Sequence, residues 1–444
     1  MPEGSDLHNP FSLTVIENLT ICTIMNHIHP TQQFTAMKII KLGKKLPRLH
    51  LAILALLVVL TGACAFSETD RDSMPVSPVL VDPNATEHTR NLFVNLDRIR
   101  QDHILFGHQD DLAYGVHWIN EPGRSDVLEV TGSYPALYGW ELGHIEHGAE
   151  VNLDNVDFEQ MKGWIREGYG RGGVITLSWH PDNPLTGGSS WDVEGGQNVI
   201  AGILPDGELH DTFRSWLDQL ADFLGDLIYV DEEGNSHPIP VIFRPWHEMS
   251  AGFFWWGDPY SSHEEYRQLY RFTVEYLRDE KGLNHILWAF SPNSFSEYEY
   301  ETEYWNWYPG DEYVDVLGFD DYYTTWGGYG HEDGVAKLTE YLVWMVEQAE
   351  ARGKIPALTE TGQENCLADA DWYTNQLLAA ITGHPTAQRI AYLLTWRNSN
   401  NATDRQNHFY TPYPGHPAEA DFVTFVNHPL ILMESDLPDM YSID

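Results

Sequence analysis

"PVIFRPWHE", residues 240 to 248, begins with the β-branched pair Val241 and Ile242 and ends in Arg244, His247 and Glu248. A strand buried on both faces reads as a continuous apolar run, and a polar ending marks where the chain leaves the core. Seven other stretches share this format: "HILFGHQ" (103 to 109), "ALYGWEL" (136 to 142), "GVITLSWH" (173 to 180), "ILWAFSPN" (286 to 293), "DVLGFDDYY" (315 to 323), "IPALTETG" (355 to 362) and "IAYLLTWRN" (390 to 398). Helical periods lie between them. Phe213, Trp216, Leu217, Leu220, Leu224 and Leu227 share one face, as do Tyr266, Leu269, Tyr270, Val274 and Leu277, and Val335, Leu338, Tyr341, Leu342, Met345 and Ala349. Ser262 and Glu265 stand at capping-box spacing ahead of the second helix.

Eight strands alternating with helices predict an α/β fold, a (β/α)8 TIM barrel forming a single catalytic domain over residues 87–444; a doubly wound sheet is the alternative. In a barrel the strand C-termini meet on one face, where sites are built. Those ends read His108-Gln109, Trp140-Glu141, Trp179-His180, His247-Glu248, Ser291 to Asn293, Asp320 to Tyr322, Glu360 and Trp396-Arg397. Any one of them alone is an ordinary polar group at a strand end. Eight together point to a functional face.

Two of the ends carry glutamate, Glu248 on the fourth strand and Glu360 on the seventh, which a barrel brings together. Such a pair suits glycoside hydrolysis, in which one carboxyl group protonates the leaving oxygen and the other attacks or stabilises the sugar cation. Phe253, Trp255 and Trp256 follow the first acid closely, and aromatic rings stack on the apolar faces of sugars. Packing of these rings within a loop is the plainer reading. From the residues alone, Glu248 among aromatics beside His247 suits a raised pKa and Glu360, placed near Tyr322 and Arg397, suits an ionised partner, but these features do not rank the two.

The N-terminus has its own pattern. The apolar run "LAILALLVVLTGA" (51 to 63) follows Lys38, Lys41, Lys44, Lys45 and Arg48, as in an export signal. We therefore expect an upstream extension at 1–36, a lipoprotein-type signal peptide at 37–63 and a tether at 64–86. "LTGAC" resembles a bacterial lipobox, with Cys64 as the lipidated residue, and a plain cleavable signal is the alternative. With Cys22 and Cys64 outside the soluble part, Cys366 has no disulfide partner. Export is expected, with lipid anchoring at the cell surface or outer membrane; membrane contact would run only through Cys64.

The stretches "FGHQ", "SWH", "RPWHEM", "FFWWG", "LTETG" and "TWRN" in this order resemble glycoside hydrolase family 26, chiefly β-mannanases. The resemblance implies that Glu248 is the general acid/base and Glu360 the nucleophile of a retaining reaction on β-1,4-mannan, galactomannan or glucomannan, with β-glucan or xylan as alternatives. It also implies sugar-side roles for His180, Trp191, His247, Phe253, Trp255, Trp256, Asp320, Tyr322, Trp396 and Arg397. Ser250 and Phe253 depart from the Asn and Trp common in the family, which touches substrate preference. A non-catalytic glycan-binding barrel is a reading from another class, but it would not need both glutamates. No cofactor and no metal are expected: His144, Glu146 and His147 in "GHIEHG" lack both His-Glu-x-x-His spacing and a recognisable third ligand. A monomer is expected.

Lys and Arg number 25 against 66 Asp and Glu, a formal net charge of -41, which disfavours nucleic acid as a partner. Self-repulsion of this size weakens as salt screens it. Thermal stability is therefore expected to rise as NaCl increases from low millimolar to molar. A melting temperature that stays flat over this range would reduce the acidic surface to a solubility device.

Overall fold

A computed structural model describes residues 79–443, except 197, 296–298, 327–332 and 367–368. The expected extension, signal peptide and Cys64 lie outside the described residues. All eight predicted stretches form strands: β1 (Ile104–Gln109), β2 (Leu137–Glu141), β3 (Val174–Trp179), β4 (Val241–Pro245), β5 (Ile286–Phe290), β6 (Val316–Asp321), β7 (Ile355–Thr361) and β8 (Tyr392–Thr395). They pair in parallel in chain order, and β8 pairs back onto β1, so the sheet closes into a (β/α)8 barrel. Every residue of these strands is buried. Helices cover the outside and side chains fill the interior, which is why the strands read as apolar runs rather than alternating ones.

The outer layer includes α1 (Glu87–Ile99), α2 (Phe158–Gly170), α3 (His210–Gly225), α4 (His263–Glu275) and α5 (Gly334–Arg352). The predicted faces of α3 and α4 are buried, and the Ser262–Glu265 capping box forms at the start of α4. On α5, Leu338, Tyr341, Leu342, Met345 and Ala349 are buried while Val335 packs only partly. Among the described residues, no helix is long and apolar enough to cross a membrane.

Residues 79–86, expected in the tether, instead pack on the barrel. Val79 N–H donates to the Gly353 carbonyl (3.2 Å), Val81 N–H to the Asp315 carboxylate (2.7 Å) and Thr86 N–H to the Asn284 carbonyl (2.8 Å). Asp82 and Ala85 are buried. Composition suggested a linker, but these backbone donors find acceptors on the loops and helix ends they cross.

Two local distortions shape the C-terminal face. Leu358 lies opposite Phe319, yet Glu360 lies opposite Asp320, and a matching shift appears against β8 between Leu358 and Thr361. Seen from both neighbours, β7 carries an extra residue at its end, a bulge that bends a strand and re-aims its side chains. Thr359 bridges the gap by donating to the Phe319 carbonyl (2.9 Å) and to the Asp320 carboxylate (2.6 Å). Beyond β4 the backbone turns through left-handed conformations at Trp246 (φ 56°) and Glu248 (φ 55°). Such conformations are costly for side chains of this size and persist only where the surroundings fix them. Here Tyr266 donates to the Trp246 carbonyl (2.9 Å), Trp256 to the His247 carbonyl (2.8 Å), and Glu248 N–H to the Ser291 carbonyl (2.8 Å).

Candidate active site

The bulge and the turn bring Glu248 and Glu360 together at the barrel mouth. Carboxylate oxygens of Glu248, Asp320 and Glu360 lie within 4.8 Å of one another. The positive charge this cluster calls for comes from Arg244 on β4, which is buried and donates to Asp320 Oδ2 (2.8 Å) and to Glu360 Oε1. Tyr322 donates to the other oxygen of Glu360 (2.7 Å). Glu360 is thus gripped through both oxygens, whereas Glu248 receives a single donor in this set, the Asn293 amide (2.9 Å).

Burial pushes the Glu248 carboxyl well above the usual range, with Asp320 and Glu360 adding to it and Arg244 and the Asn293 amide opposing. Burial likewise raises Asp320, and Glu360 adds to this; Arg244 and Thr359 work against it. Arg244 is desolvated, but Asp320 and Glu360 outweigh that cost and hold it firmly charged.

A second network runs beneath the site. The fully buried Glu141 accepts from His180 Nδ1 (2.7 Å), His180 N–H (2.8 Å), Ser178 Oγ (2.6 Å) and Gly143 N–H (2.6 Å). Burial opposes its charge, yet His180 and these donors hold its pKa down at about 2. For His180 burial is also outweighed, here by Glu141, so its pKa rises. His180 Nε2 meets His247 Nε2 at 3.0 Å, a contact that requires one proton between two nitrogens. His247 is pushed far down by burial and by the charges of Arg244 and His180. The network therefore assigns the proton to His180 as donor and leaves His247 neutral.

A cleft of about 570 Å³ opens over these groups. Among the residues expected to touch substrate, His180, Trp191, Phe253, Tyr322, Trp396 and Arg397 line it together with Glu248 and Glu360. Trp191, 61% exposed, stacks on Phe253 at 4.8 Å. Four of the expected residues lie away from the cleft surface. Trp255 and Trp256 are wholly buried, donating to the Pro181 and His247 carbonyls, and act as scaffold because their indole N–H groups brace the loops rather than face the cleft. His247 and Asp320 are 1% exposed and absent from the lining; they support His180 and Arg244.

Arg397 does not approach Glu360 as its partner. It pairs with Asp154 (2.8 Å) and Asp404 (2.7 Å), and Arg244 takes the place expected for it. Arg244, Glu141 and Asn293 had no role in the sequence reading. Their signal was present, since all three stand at the ends of predicted strands. Ser250 accepts from Asn293 N–H (3.0 Å) and so steadies the residue that holds Glu248.

The histidine pair gives a direct test. In an ¹⁵N NMR titration, His180 should keep its added proton to higher pH than an ordinary imidazole, while His247 should remain neutral well into acid. Glu141→Gln removes the charge that raises His180, so the His180 titration should move to lower pH. An unchanged His180 titration in that variant would detach the pair from Glu141.

Comparison with known proteins fits this geometry. The family model for glycosyl hydrolase family 26 matches residues 81–406. A mannan endo-1,4-β-mannosidase from Bifidobacterium adolescentis is 33% identical over 366 residues, covering 80% of this chain and 35% of that protein; the chain thus spans about a third of that relative. One from Bacillus subtilis is 26% identical, covering 79% of this chain and 90% of its own. Among solved structures, a GH26 β-mannanase from Bacteroides ovatus superposes with a TM-score of 0.73 at 41% identity, covering 81% of this chain and 98% of its own. A modular endo-β-1,4-mannanase from Cellulomonas fimi gives 0.74 at 35% identity, with 83% and 80% covered. With a family match across most of the barrel and both glutamates at its mouth, the chain belongs to glycosyl hydrolase family 26.

Proposed function

We propose that the chain is an endo-acting β-mannanase that cleaves β-1,4-mannosidic bonds with retention, working as a monomer. The observation that carries this reading is the asymmetry of two glutamates whose oxygens approach within 4.8 Å. Carboxyl groups about 5 to 5.5 Å apart leave no room for an attacking water between them, so one must itself attack the sugar. Glu248, with its raised pKa, supplies the proton to the departing oxygen. Glu360, held by Arg244 and Tyr322, attacks the anomeric carbon and forms the glycosyl bond. Glu248, now deprotonated, then takes a proton from water as that water breaks the bond. Mannan as substrate follows from what the relatives are named for. Turnover of mannan and galactomannan, but not of mixed-linkage glucan or xylan, would support that choice.

The two roles separate in time. Glu360→Ala should abolish turnover of every substrate. Glu248→Ala should still load from an aryl mannoside with a good leaving group, showing a burst and then a stall at the covalent intermediate. Azide needs no general base and should release a β-mannosyl azide from that variant. If azide instead releases a β-configured azide from Glu360→Ala, while Glu248→Ala shows no burst and yields an α-configured azide, the assignment is reversed.

We also propose that the protein is exported and held by a lipid on Cys64. The basic segment, the apolar run at 51 to 63 and the small residues before Cys64 support this. Mass spectrometry of membrane-extracted protein should find an acylated Cys64 at the mature N-terminus; an unmodified start near Ala65 or Phe66 would count against it.

A further inference from the structure

The loop after β2 contains the "GHIEHG" segment, in which the sequence showed no third ligand. The fold supplies one from the loop after β3. Ligand atoms of Glu146, His147 and Asp182 all lie within 4.8 Å of one another. His147 Nε2 stands 2.9 Å from Asp182 Oδ2 and 3.9 Å from Glu146 Oε1, and His144 Nε2 is 4.0 Å from Asp182 Oδ1. We propose that Glu146, His147 and Asp182 form a binding site for a divalent transition-metal ion, zinc being the best match, with His144 closing it as a fourth ligand.

The donor geometry is close to what zinc needs. Tetrahedral zinc with bonds of about 2.0 to 2.2 Å places its ligand atoms about 3.3 to 3.6 Å apart. The observed separations bracket that range, so small side-chain movements suffice. The donor set also selects the ion, because imidazole with carboxylate suits zinc and its neighbours, whereas calcium and magnesium favour oxygen alone.

The site has a rigid half and an adjustable half. Glu146 is buried, with Trp179 Nε1 donating to one oxygen (3.0 Å) and Asp182 N–H to the other (2.9 Å). Such outer contacts orient a ligand. His144 and His147 are partly exposed, at 39% and 42% of their side chains, and leave a path for the ion from solvent. Among the described residues, Glu146 and Asp182 pair with these histidines and with no Lys or Arg.

Position gives the ion a task. Asp182 follows His180 by two residues, and Asp182, His180 and His144 all line the cleft. A bound ion would tie the loop after β2 to the loop after β3 at the cleft rim and fix the segment that carries His180. This inference is independent of the proposed reaction.

The test uses the barrel-containing chain without an affinity tag, stripped with EDTA and titrated with ZnCl₂ by calorimetry. One zinc should bind per chain with micromolar affinity or better and raise the melting temperature. Cobalt(II) added in place of zinc should give the intense visible absorption of a tetrahedral site. His147→Gln, at an exposed position, and Asp182→Asn should each weaken zinc binding at least tenfold and remove the cobalt spectrum, with circular dichroism confirming that both fold. Absence of stoichiometric zinc binding in the unmodified chain, or equal binding in both variants, would overturn the proposal.

Discussion

Everything at the barrel mouth depends on one guanidinium. Three carboxyl groups in a shared space repel one another, and at about 4 Å with an effective dielectric near 20 each charged pair costs about 4 kcal/mol. Arg244 relieves this for two of them, Asp320 and Glu360. Burial, and after it the charges of Asp320 and Glu360, raises the pKa of Glu248. The two glutamates thus differ in their partners, the Asn293 amide bonding Glu248 and Arg244 bonding Glu360. Because removing one partner of a buried pair costs about 3 to 5 kcal/mol, the same residue ties strands β4, β6 and β7 together.

Placing these groups demands departures from regular geometry. A regular β7 would not leave the extra residue that sets Glu360 opposite Asp320, and a regular extension of β4 would carry Glu248 past the mouth. The left-handed turn at Trp246 and Glu248 stores about 1 to 3 kcal/mol per residue. Tyr266 from α4 and Ser291 from the end of β5 hold it in place. Side-chain and backbone bonds from the scaffold thus fix the placement of the two glutamates.

The barrel was legible because buried parallel strands leave long apolar runs, and each of the eight runs ended in a polar residue. Glu248 and Glu360 were legible because glutamate at such an end is conspicuous. What escaped notice was pairing across the barrel. Arg244 sits in the most informative stretch, yet no local pattern says which strand end it faces, and the sequence reading places Arg397 rather than Arg244 beside Glu360. Burial of Trp255 and Trp256 was also hidden, since an aromatic run reads alike whether it lines a cleft or supports it. Asp182 was invisible as a neighbour of His147 because the two come from different loops.

The departures at Ser250 and Phe253 fall on opposite sides of the division between chemistry and recognition. Ser250 accepts from the backbone of Asn293, the residue whose amide holds Glu248, so this substitution preserves support for the acid. Phe253 lies at the rim under the exposed face of Trp191. A phenyl ring offers less stacking area than an indole, and the neighbouring tryptophans are committed to the interior. The exposed aromatic surface of this wall accordingly concentrates on Trp191, while the carboxylates below remain tied to Arg244.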